Sequence, residues 1–266
     1  MGEQQVGEHG MIIASIIDEV SVWLRTPDNW WGPRGIFARL SEHAQMSFAA
    51  LAAVIVLCVP ITVWLGHRRR WGVLAINVSN AGRAIPSFAI LVVGTQLFGL
   101  QDVPVIGSWF VFIALIVLAA PSIVTNAWVG VAEVPDDVRD AARGMGLTEF
   151  QVLWRIELPL ALPLIMGGIR TAAVLTVATA TIAAQVGSGG LGRFIVEGFA
   201  LGPDAYDEVF SGAILVALFA LATEGICALL QRLVTPVALR QPSRRAIDAA
   251  EKSDAPDTTV PTLQAA

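Results

Sequence analysis

The side chains that could do chemistry in this sequence are polar or charged residues set inside long apolar segments. Glu224 stands within one apolar run, and the run before it carries Thr179, Thr181 and Gln185. An acid in the middle of a membrane helix costs about 2.5–3.5 kcal/mol on insertion scales, so it needs a partner and a polar surrounding. This pattern is typical of a polar pathway through a membrane, or of ion pairs that hold helices together.

The sequence shows no grouping of residues that is typical of a catalytic or metal-binding site. The three histidines, His9, His43 and His67, are scattered, and none forms a cluster of metal-ligand spacing with cysteine or carboxylate. Cys58 and Cys227 both fall in apolar runs, which favours packing over a disulfide or a zinc site. We therefore expect no catalytic residue and no metal site, and an intramembrane enzyme is a weak alternative.

Two nucleotide-binding patterns can be tested in the sequence. The run 187–192 reads GSGGLG, which matches a dinucleotide fingerprint in letters. That fingerprint needs a preceding strand and a following helix, whereas an apolar helix precedes this run. We expect these glycines to allow a tight turn or a close approach between segments. The single lysine, Lys252, lies in a polar tail, so the chain lacks a phosphate-binding Gly-Lys loop and is not an ATPase.

Composition places the chain in a membrane. Hydrophobic residues make up 55% and charged residues 15%, against about 45–50% and about 25% in soluble domains. Apolar runs of roughly the twenty residues that a bilayer requires predict an all-α polytopic protein with about five transmembrane helices. The predicted spans are 47–65, the part of 73–100 that comes after Pro86, 108–131, 164–186 and 209–230.

Arginine placement predicts the orientation of these spans. Arg68, Arg69 and Arg70 come directly after the first span, and such clusters mark the cytoplasmic side. The predicted N-terminus is therefore outside and the C-terminus cytoplasmic. We predict an external segment 1–40 with an amphipathic helix lying on the membrane surface, a transmembrane domain 41–235, and a disordered cytoplasmic tail 236–266.

The charged interval 133–163 lies between two predicted spans and is patterned for structure. A first short helix is predicted to begin with Pro135 at its first helical position and to stop at Gly144 and Gly146.

A second short helix is predicted after this glycine hinge. Thr148 and Gln151 have the spacing of a capping box, and Pro159 and Pro163 are predicted to delimit the helix. Together the two helices would form a knob that projects into the cytoplasm.

This interval resembles the EAA loop of the permease subunits of bacterial ATP-binding-cassette importers. Asp140-Ala141-Ala142, Gly146 and Ile156-Glu157-Leu158-Pro159 stand in register with that motif, with aspartate in place of glutamate. The resemblance implies a type I importer permease fold and a loop that couples the chain to an ATPase. The implied coupling residues are Asp140, Ala141, Ala142, Arg143, Gly146, Ile156, Leu158 and Pro159.

Two further runs narrow the resemblance to osmoprotectant permeases. The runs are NAGRAIPS at 80–87 and GGIRTAAVLTVATATIAAQVGSGGLG at 167–192. The implied function is import of glycine betaine, choline or carnitine into a bacterial cell across its inner membrane. Methionine-type permeases carry a similar glycine run and remain the main alternative, and a secondary transporter is a weaker one because no inverted repeat is found in the sequence.

The resemblance also implies the partners. They are two ATPase subunits that carry ATP and Mg²⁺, an extracytoplasmic substrate-binding protein, and a second permease subunit, identical or paralogous. No cofactor is expected in this chain.

Polar residues within the predicted spans are candidates for the substrate pathway or its gate. They are Asn77, Asn80, Arg83, Pro86, Ser87, Asn126, Thr179, Thr181, Gln185 and Glu224. Two other interpretations remain open: Glu224 could form a structural ion pair with Arg83 or Arg170, and threonine hydroxyls often bond to their own helix or join two helices.

Overall fold

The computed structural model describes most of the chain as a helical bundle. The described residues are 16–69, 71, 72, 74, 76, 77, 80, 81, 86–98, 102, 103 and 107–235. The predicted tail 236–266 and the first residues of the predicted N-terminal segment lie outside them. Within the described part, four helices are long and apolar enough to cross a membrane, and a shorter apolar helix accompanies them.

Nine α-helices carry the architecture of the described residues, and we number them in chain order. They are α1 (16–25), α2 (Ile36–His67), α3 (Ser87–Phe98), α4 (Trp109–Ala132), α5 (Asp136–Gly144), α6 (Glu149–Val152), α7 (Leu158–Ala183), α8 (Gly192–Leu201) and α9 (Tyr206–Val234). Residues 72, 74, 76, 77, 80 and 81 are also helical. Two strands of two residues, β1 (Asp102–Val103) and β2 (Gly107–Ser108), pair antiparallel before α4.

The long helices α2, α4, α7 and α9 correspond to four of the five predicted spans. The first is longer than predicted: α2 begins at Ile36, where the sequence suggested residue 47. Its first turns mix apolar residues with polar and charged ones, and among these His43 is fully buried, with its Nε2 3.2 Å from the carbonyl oxygen of Val177. The remaining predicted span corresponds to α3, which has 12 residues.

The core lies between α2, α4 and α7. Small residues let these helices approach closely, as is usual in membrane proteins. Ala50 and Ala180 are buried in one hydrophobic cluster, and Ala127 and Ala161 in a second cluster nearer the knob end of the bundle. Helix α9 packs on α7 and α8, and most of its apolar side chains remain exposed on the subunit.

The prediction that Pro159 and Pro163 delimit a short helix is wrong. A π-turn, Leu153–Glu157, joins α6 to α7, and α7 continues past both prolines to Ala183. In this wide turn the Leu158 N–H reaches the Leu153 carbonyl, so the donor that Pro159 lacks falls at the turn, where α-helical bonding is already interrupted. Helix α6 and the predicted span that follows it are therefore parts of one continuous helical segment.

The end of the bundle away from the knob is built from α1, α8 and the glycine run between α7 and α8. Val20 of α1 is buried, and Trp23 meets Phe194 of α8 edge-on at 5.4 Å between ring centroids. Part of the apolar side of α1 thus packs against protein, while Ile17 remains 63% exposed; the predicted position of this helix on the membrane surface stays a prediction. A β carbon on Gly192 would lie 2.4 Å from the Thr181 carbonyl oxygen, which agrees with the close approach predicted for this run.

Candidate functional site

The knob consists of α5, a glycine turn and α6. At the end of α5, the Gly146 N–H donates to the Arg143 carbonyl at 2.9 Å and the Leu147 N–H to the Ala142 carbonyl at 3.2 Å. This pair of bonds is a Schellman motif, which requires a left-handed residue. Gly146 supplies it with a φ of +85°. The turn therefore fixes the angle between α5 and α6.

The start of each knob helix agrees closely with the sequence pattern. The capping box of Thr148 and Gln151 is present in both directions. Pro135 was predicted to be the first helical residue of α5. It is instead the N-cap, and the helix begins one residue later, at Asp136. The acidic residues Asp136 and Asp137 then face the positive end of the helix dipole.

The predicted coupling residues divide into an exposed set and an inward set. Asp140, Ala141, Arg143 and Gly146 are exposed, whereas Ala142 is buried and anchors α5 on the bundle. Ile156, Leu158 and Pro159 are half-buried. The motif therefore presents a polar outer face from α5, and its second part belongs to the base of α7.

Sequence reasoning missed the apolar residues on the outside of the knob. Met145, Phe150 and Trp154 are exposed, Met145 by 71%, and the rings of Phe150 and Trp154 lie 5.9 Å apart. Large apolar side chains beside a charged helix are typical of protein interfaces. Large apolar residues within an otherwise charged interval of the sequence were the signal that could have predicted this surface.

Charged residues connect the start of α5 with the segment just after α2. Just after α2, Arg69 pairs with the Asp136 carboxylate at 2.7 Å and donates to the Val134 carbonyl at 3.0 Å. This arginine holds the pKa of Asp136 below its usual value. The arginine cluster, interpreted from sequence only as a marker of orientation, thus also contacts the start of α5 through an exposed ion pair.

A groove of about 770 Å³ runs between α7 and α9. The Arg170 Nε donates to the Glu224 carboxylate at 2.5 Å, and both residues line the groove. Of the two partners that the sequence left open for Glu224, the structure shows Arg170. Arg83 lies outside the described residues.

A second cavity of about 420 Å³ joins α3, α4 and α7. It brings together Pro86, Ser87 and Thr179 with Ser122 and Thr171, the last two of which were not among the predicted pathway residues. Thr171 lines the groove as well as this cavity. The two spaces therefore share one face of α7.

The other predicted pathway residues lie elsewhere. Asn77 and Asn80 are helical and exposed, and neither cavity is lined by Asn126, Thr181 or Gln185. Several hydrogen bonds stay within one helix, namely Thr179 to Leu175, Thr181 to Val177 and Asn126 to Ser122. For the threonines, this is the alternative named in the sequence analysis, in which the hydroxyl bonds to a carbonyl of its own helix.

The sequence matches the profile of a known protein family. The sequence profile of the binding-protein-dependent transport system inner membrane components matches residues 58–236, more than half of the chain. The chain belongs to this family. The permease is thus a multi-pass membrane subunit of a transport system that depends on a binding protein.

Characterised relatives are similar over most of the permease. The glycine betaine/carnitine/choline transport system permease protein OpuCB of Bacillus subtilis is 31% identical over 202 residues, which cover 76% of this chain and 89% of that protein. The carnitine transport permease protein OpuCB of Listeria monocytogenes is 34% identical over 200 residues, 75% of this chain and 88% of that protein.

A solved structure shows the same fold. A chain of the MetNI methionine ABC transporter in an inward-facing conformation aligns with a TM-score of 0.63 at 23% identity, covering 76% of the permease and 96% of that chain. The expected type I importer permease fold is confirmed.

Proposed function

We propose that this permease imports a zwitterionic or quaternary-ammonium solute such as glycine betaine, carnitine or choline. The observation that carries the proposal is the Arg170–Glu224 pair, which presents one positive and one negative group beside a largely apolar groove. Glycine betaine and carnitine are zwitterions that carry the same two charges, and choline carries the positive one, so each charged group of these solutes can meet an opposite charge at this surface. The names of the relatives support the quaternary-ammonium class.

The permease is proposed to be half of a dimer. Arg170 and Glu224 are 40% and 33% exposed on the subunit, and Thr171 beside them is exposed. Charged groups in membrane helices face protein or water, since contact with lipid is costly. A second permease subunit, identical or paralogous, would close the open side of the groove and complete the pathway.

ATP hydrolysis is assigned to separate ATPase subunits that bind ATP and Mg²⁺. The exposed apolar residues Met145, Phe150 and Trp154, next to the charged face of α5, suit a groove on such a partner. Because α6 continues through the π-turn into α7, closure of the ATPase dimer would move this span together with the knob.

Delivery is assigned to an extracytoplasmic binding protein. A cavity of about 540 Å³ between the α1–α2 turn and α8 carries aromatic and charged groups, including Trp31, Arg34, Glu197 and Glu208. Such a mixed surface suits transient docking of a protein. In this arrangement the N-terminus is outside, the knob is cytoplasmic, and selectivity belongs largely to the binding protein.

A competitive uptake experiment tests the substrate class. Cells with and without the gene are grown at high osmolarity and supplied with labelled glycine betaine, carnitine or methionine. We expect gene-dependent uptake of the quaternary ammonium solutes to exceed that of methionine at least tenfold. If only methionine uptake depends on the gene, the permease serves the alternative substrate of the MetNI-like fold.

A further inference from the structure

Glu157 is a fully buried carboxylate at the junction of the knob and the membrane helices. It is 0% exposed and stands at the end of the π-turn that precedes α7. The exposed side chains of the same turn, Trp154 and Arg155, point away from the bundle. An extra residue in a helical turn rotates the next side chains around the helix axis. The π-turn is therefore what aims Glu157 inward.

Two basic side chains from two other segments meet this carboxylate. Nδ1 of His67, the last residue of α2, lies 2.8 Å from Glu157 Oε2. Nε of Arg139, in α5, lies 3.2 Å from Glu157 Oε1, an ion-pair contact without hydrogen-bond alignment. Arg139 is 3% exposed and also donates to the Val131 carbonyl near the end of α4 at 2.5 Å. One carboxylate thus joins α2, α5 and the base of α7, and Arg139 adds α4.

Burial makes this arrangement sensitive to movement. A buried charge is tolerated only while its partners remain in place, because separation leaves a charge unpaired in a medium of low polarity. Desolvation lowers the pKa of Arg139, and the negative charge of Glu157 opposes that shift. Displacement of α5 alone would therefore be strongly resisted, whereas displacement of α5 together with α2 and α7 would keep the contacts.

We propose that Glu157 is the positioning residue through which movement of the knob is passed to the first membrane helix, by holding Arg139 and His67 on one carboxylate. The proposal rests on the proposed function, in which an ATPase moves the knob. Movement of the knob would then reach two membrane helices: α7, which follows the knob directly in the chain, and α2, through Glu157. The exposed Arg69–Asp136 pair beside it is accessible to water, where ion pairs contribute little.

The test measures solute taken up per ATP hydrolysed in proteoliposomes containing the permease, its ATPase and its binding protein. The main variant combines Glu157→Leu with Arg139→Leu. It removes both charges and fills their space with apolar side chains, a replacement of a buried ion pair that often preserves folding. We expect ATP hydrolysis within twofold of the natural protein and uptake per ATP at least tenfold lower. The matched control, Arg69→Gln with Asp136→Asn, should change the ratio less than twofold.

A second variant, Glu157→Gln, decides the question if the apolar pair does not enter the membrane. It retains the shape of the side chain and is expected to lower the same ratio. An unchanged ratio in either inserted variant, or loss of both variants from the membrane, would overturn the proposal and leave Glu157 with a structural role alone. If the natural protein shows no ATP-dependent uptake, the proposed function fails instead.

Discussion

Replacing Gly146 with leucine is expected to lower uptake by about tenfold while the amount of permease in the membrane stays unchanged. Gly146 has a φ of +85°, and a residue with a β carbon costs roughly 1–2 kcal/mol in that left-handed conformation. This cost changes the population of the native turn by a factor of about 5–30. The knob would then reach the ATPase at the wrong angle. The measurement is uptake of labelled solute per amount of permease on an immunoblot.

Gly144→Leu is the matched control for this substitution. Both glycines are exposed, and a β carbon on either would meet no atom within 4 Å. Gly144 lies within α5 and lacks the positive φ. We expect its leucine variant to retain at least half of the uptake. Unchanged uptake and ATP hydrolysis in Gly146→Leu would mean that this turn is not part of the coupling element.

Neutralising either member of the Arg170–Glu224 pair is expected to lower uptake at least tenfold. Each single variant, Arg170→Gln or Glu224→Gln, leaves the other charge without this partner in a membrane-length helix, where a charge costs about 2.5–3.5 kcal/mol on insertion scales. The amount of inserted protein should fall in both. The measurement compares uptake and abundance for the two single variants and the double variant.

The double variant separates a pathway role from a purely structural one. With both charges removed, abundance should recover because no unpaired charge remains. Uptake should stay low if the pair lines the substrate pathway. Full recovery of uptake together with abundance would show that the pair only holds α7 against α9.

Local signals in the sequence were sufficient for the knob. The capping box of Thr148 and Gln151 and the helix stop at Gly146 depend on residues within one turn of each other, so spacing alone predicts them. The length of apolar runs likewise predicted the four long helices. The continuation of α7 through Pro159 was missed because it depends on the π-turn, which has no comparable signal in residue spacing.

Contacts between distant segments could not be predicted in the same way. Glu157 stands between Ile156 and Leu158, and its type alone suggests an exposed face. Its burial depends on basic groups that α2 and α5 bring to it. The partner of Glu224 is 54 residues away, so the sequence could name Arg83 and Arg170 as candidates but could not choose between them.

Thiol labelling of a Met145→Cys variant tests most directly whether the knob is cytoplasmic and binds the ATPase. The two native cysteines lie within α2 and α9, so a membrane-impermeant maleimide should report mainly on the new thiol. Leu201→Cys, at an equally exposed position on the opposite side, is the control. We expect Met145→Cys to be labelled in inside-out vesicles and not in intact cells, and the ATPase subunit to slow its labelling at least fivefold. Labelling from the outside, or at the same rate with and without the ATPase, would contradict the account.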